Sequence, residues 1–71
     1  MTETKNLVEG LTDQILRVAE IQSKYLSLPN NAGYFAATAM GHSLYTARKA
    51  QASGSIEDMM AAYKDLEEYE L

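Results

Sequence analysis

Between Asn6 and Leu28 one period runs through the chain: Leu7, Leu11, Gln14, Val18, Ile21, Tyr25 and Leu28 recur at alternating steps of four and three. That spacing keeps one side of an α-helix turned toward a partner helix. Val8 and Ile15 widen the seam to about three positions per heptad, the width of a helix packed in a bundle rather than of a bare two-stranded zipper. No segment alternates with period two over a useful length, so strands are not expected.

The signals that interrupt this pattern divide the chain into three helices. Asn6 is suited to cap the first, with Glu9 three residues on as the second half of a box, and Thr2 or Thr4 offers an earlier start. In Leu28-Pro29-Asn30-Asn31-Ala32-Gly33 the proline removes a backbone donor and forces Leu28 out of helical geometry. The first helix, 6–28, therefore ends there, and Asn30 or Asn31 is placed to cap the next. So short a loop implies an antiparallel αα-hairpin.

The second helix, 32–52, is rich in small residues. Ala37, Met40, Gly41, Leu44 and Ala47 share a face, with Gly41 the expected point of closest approach. Ser53-Gly54-Ser55 separates it from a third helix, 56–70, which Ser55 caps and which packs through Ile56, Met59, Met60, Tyr63 and Leu66. The fold expected is all-α: one domain, 1–71, in which an antiparallel hairpin and a third short helix assemble into a bundle.

A chain of 71 residues buries a modest share of its surface and needs support beyond its own core. With no cysteine and a single histidine, neither disulfides nor a structural zinc supplies it. Self-association is the expected source, most simply a two-fold homodimer. Leu7, Leu11, Gln14, Val18, Ile21 and Tyr25 form its expected surface, with Leu16 and Leu26 lying off the main stripe. No stretch approaches the roughly 18 apolar residues of a membrane span, and the polar segment Met1 to Asn6 leads into no signal-like apolar run. A soluble, cytoplasmic protein is expected, with no membrane partner. The net charge of −4 argues against direct nucleic-acid binding, which depends on cations that displace counterions from phosphates.

No catalytic, cofactor or metal signature is present, so a non-catalytic protein without cofactor is expected. His42 has no carboxylate on its own helix to orient it, and Ser43 points about 100° away from it. Two surfaces can bind something. The sharper one is the third helix, where Asp65, Glu67, Glu68 and Glu70 gather at an end that the helix dipole already makes negative. With Tyr63 or Tyr69 as aromatic anchor and Met59 and Met60 as adaptable contacts, this end suits a basic patch on a partner protein. The protein expected is a small acidic inhibitor, adaptor or accessory subunit of the kind viruses and mobile elements encode. The alternative lies on the second helix. Thr38, His42, Tyr45, Thr46 and Lys49, with Arg48 beside them, offer hydroxyls, a ring and positive charge to a nucleotide or other phosphorylated ligand. That stripe becomes a pocket only if another helix or subunit closes over it.

Overall fold

The computed structural model describes residues 6–70, and helix starts at Thr2 or Thr4 lie outside them. The expected cap opens the first helix, α1 (Leu7–Leu26): the Asn6 side-chain oxygen accepts from the Glu9 N–H at 2.8 Å. α1 stops two residues before its apolar pattern does. Ser27 turns both its backbone N–H and its hydroxyl onto the Lys24 carbonyl, the hydroxyl at 2.8 Å. Leu28 is extended (φ −69°, ψ 144°), as the residue before a proline must be.

The loop corrects the expected second cap. Pro29–Asn31 form a single 3-10 turn in which Asn30 and Asn31 are both left-handed, at φ 58° and 59°. Asparagine tolerates that region better than most side chains, so these two residues bend the chain and cap nothing. α2 (Tyr34–Ser53) begins only after Gly33, without a side-chain cap. Gly33 also replaces Gly41 as the point of closest approach: a Cβ there would overlap the Tyr25 carbonyl and stand 2.9 Å from the Tyr25 Cβ. Gly41 faces a movable group, the Gln22 amide, which donates to the Ala37 carbonyl at 3.0 Å.

Gly54 then takes the left-handed position (φ 75°) and Ser55 accepts from the Asp58 N–H at 3.3 Å, opening α3 (Ile56–Glu67) as expected. α3 ends three residues short of the expected 70. The three helices pack against one another in every pairing, with no strand among the described residues, and form an all-α bundle.

Its core takes Leu11, Ile15, Val18 and Ile21 from α1, then Met40, Leu44, Ala47 and Ala50 from α2, and Met59, Ala62 and Leu66 from α3. Leu11, Val18 and Leu66 are fully enclosed, each contributing about 1.5–3 kcal/mol through loss of apolar surface to water. Leu11, Val18 and Ile21, expected to meet a second chain, are thus consumed inside this one, and Leu7 and Tyr25 pack on the edge of the same core. α3 is the reason, because it covers the flank of α1 that a two-helix hairpin would leave bare. Leu16 and Leu26 stay exposed at 61% and 58%.

Candidate functional site

The acidic end of α3 is held by the other two helices. The Arg17 guanidinium reaches across from α1 and donates to the carbonyls of Tyr69 at 2.8 Å, Leu66 at 2.9 Å and, more weakly, Glu67 at 3.4 Å. Gln14 steadies it by accepting from Nε at 3.0 Å. The Leu66 carbonyl also takes the Tyr69 N–H at 3.1 Å, and a cation is the group the helix dipole favours at this end. Beyond it, the Tyr25 hydroxyl donates to the Glu70 carbonyl at 3.4 Å, and the Tyr69 hydroxyl meets that of the buried Ser43 on α2 at 3.0 Å.

With its main chain fixed in this way, the end displays Asp65, Glu67, Glu68 and Glu70 to solvent. Two residues assigned to that surface turn inward instead. Met59 is only 4% exposed and belongs to the core, while Tyr69 is half-buried against Ser43. Met60 and Tyr63 do reach the surface. They line an open groove between α3 and the start of α1 with Leu7, Gly10, Asp13 and Lys64, and the Tyr63 ring edge lies against Gly10.

Part of the stripe on α2 flanks an open groove against α3 of the same chain. His42, Tyr45, Thr46 and Lys49 form one wall of a groove of about 770 Å³, with Ala50 and Ala62 at its base. The Lys49 ammonium stands 5.6 Å from the Tyr45 ring centroid, within reach of a cation–π attraction. The opposite wall carries Asp58 and Asp65, two carboxylates that oppose an anion. Thr38 and Arg48 lie outside the groove; the Thr38 hydroxyl is turned back onto the Tyr34 carbonyl at 2.9 Å. Ser43 lines the groove but its hydroxyl is engaged with Tyr69.

Arg17 and Ser43 were missed because their partners lie 49, 52 and 26 residues away in sequence, and no local pattern links them. Asp58 was legible: seven residues before Asp65, it shares a helix face with it. Among the described residues no three histidine or acidic side chains gather as a metal site, and no helix is long and apolar enough to cross a membrane. No family model, curated protein or solved structure matches the chain.

Proposed function

We propose that this chain is a non-catalytic interaction protein, an inhibitor, adaptor or accessory subunit, whose α3 end docks on a basic patch of a partner protein. One observation carries the reading. Asp65, Glu67, Glu68 and Glu70 are exposed, yet the end of the chain that bears them is pinned by Arg17, Tyr25 and Tyr69. A frayed end would lose conformational freedom on binding, whereas a fixed one presents its charges already placed. Exposed like charges at one pole also steer a basic partner toward it, with a rate that falls as salt rises. The groove beside Met60 and Tyr63 offers an apolar contact at the edge of the acidic surface. The reading takes the cytoplasm as the working compartment, in keeping with a chain without cysteine.

The test is pull-down from native lysate with the wild-type chain and a Glu67→Lys, Glu68→Lys, Glu70→Lys variant. A partner captured at low salt, released as salt is raised and absent with the variant, supports the reading. Capture unchanged by the variant sinks it.

The open groove between α2 and α3 supports a second reading, a surface that sequesters a phosphorylated small ligand through Tyr45, Lys49 and the nearby Arg48. It ranks lower because Asp58 and Asp65 stand on the far wall. Thermal stabilisation by a nucleotide that is lost in an Arg48→Ala, Lys49→Ala variant would raise it above the first.

A further inference from the structure

α3 is too short to cover the hairpin on which it lies. Its 12 residues span about 18 Å, against about 30 Å for the 20 of α2. The Tyr69–Ser43 hydroxyl contact marks how far along α2 the tail behind α3 reaches. Eight residues before Ser43, about 12 Å further along the helix, Phe35 stands 90% exposed. It shares a face of α2 with His42 and Thr46, seven and eleven residues on, which line the groove against α3. The line that α3 follows along α2 therefore runs on, past the end of α3, to an uncovered aromatic ring.

The neighbours of Phe35 at this pole are apolar as well. Leu28 is 45% exposed and Tyr34 61%. Both are tied to Tyr25: the Leu28 N–H donates to the Tyr25 carbonyl at 3.2 Å, and Gly33, next to Tyr34, presses against the Tyr25 backbone. The Tyr25 hydroxyl in turn donates to the Glu70 carbonyl at 3.4 Å. One residue thus joins the uncovered apolar end of the hairpin to the acidic tail. No aspartate, glutamate, lysine or arginine occurs between Lys24 and Arg48. No ion pair among the described residues engages Glu67, Glu68 or Glu70, and Arg17 is held on main-chain carbonyls.

We infer that the partner of the acidic tail also lays an apolar side chain against Phe35, Tyr34 and Leu28, so that the segment it docks is a stretch of protein in which a large apolar residue is flanked by lysine or arginine. This rests on the reading that the acidic end binds a basic patch. An apolar centre beside a charged rim is the layout of a protein interface, and the sign of the rim selects the occupant. A second copy seated on the same pole would bring its own glutamates against these. An anionic lipid surface meets the same repulsion, with no lysine or arginine on residues 25–47 to hold its headgroups. A basic protein segment is drawn in by the rim and covers the ring.

The test titrates the full chain with two synthetic peptides of equal positive charge, one with a central leucine–tryptophan pair and one with serines in their place. The apolar peptide is expected to bind about tenfold or more tightly than the serine peptide, with amide shifts at Tyr34 and Phe35 as well as at residues 67–70. Phe35→Ser, at an exposed position, should keep its circular dichroism and bind the apolar peptide only as well as the serine one, and Phe35→Trp should restore the difference. Equal binding of the two peptides to the wild-type chain, with both lost in the Glu67→Lys, Glu68→Lys, Glu70→Lys variant, overturns the apolar contact and leaves the acidic reading standing. Binding that the charge reversal does not weaken overturns both. Attachment of the chain to phosphatidylcholine vesicles, or self-association, that Phe35→Ser abolishes while neither peptide binds assigns the ring to another occupant and overturns the inference.

Discussion

A Cβ on Gly33 has nowhere to go, because the Tyr25 backbone carbonyl occupies the space and cannot swing aside as a side chain would. Gly33→Ala is expected to cost about 1–3 kcal/mol, lowering the melting temperature by on the order of 10 °C in a domain this small. Gly10 is the opposite case. A methyl group there meets the Tyr63 ring at 3.4 Å, an ordinary contact, and relieves the entropy of a glycine inside a helix. Gly10→Ala should stabilise by about 0.5–1 kcal/mol, a rise of several degrees in a thermal melt; a fall would mean that the ring cannot accept the contact. The helix-interior position of Gly10 is legible from the period that surrounds it. The need for Gly33 was not, because it follows from where the loop lays the chain over the end of α1. Met59 and Met60 show the same limit: the pattern put both on an apolar stripe, and only the packing of α3 decided that one is core and the other surface.

Each element existed where periodicity required it, and the errors lie at the ends. α1 and α3 stop early and α2 starts late because Ser27, the two left-handed asparagines and Arg17 settle those ends through turns and tertiary contacts. Arg17 acts as the terminal partner of a helix 49 residues away. Shortening it in Arg17→Gln leaves the Tyr69 carbonyl without its guanidinium partner and the Leu66 carbonyl with only backbone donors, the Tyr69 N–H at 3.1 Å among them, at a cost of about 1–3 kcal/mol. Hydrogen exchange should then accelerate in the last turn of α3 and in residues 68–70, while amides of α2 near Met40 slow or quicken only with global stability. Uniform acceleration throughout the bundle would show that Arg17 supports the whole core and not that end.

At the scale of the molecule, the all-α bundle was readable from the absence of any period-two segment and from three periodic stretches, of which the first and third carry the expected caps. Of the surface expected to meet a second chain, Leu11, Val18 and Ile21 serve the chain's own core, while Leu16 and Leu26 stay exposed. The charge reversal at Glu67, Glu68 and Glu70 also carries a stability consequence at this scale. Lysines at the negative end of a helix dipole are favourable by about 0.3–1 kcal/mol each, so the variant should melt no lower than wild type while it loses its partner. A lower melting temperature would mean that those glutamates support the fold.

Arg17 grips main-chain oxygens, which every amino acid carries alike, and Tyr25 does the same at Glu70. The tail is therefore anchored without regard to which side chains it bears at 67, 68 and 70. Those three positions form an interchangeable cassette: a lineage could swap its letters to follow a changing target, and the hydrogen bonds that anchor the main chain would stay as they are.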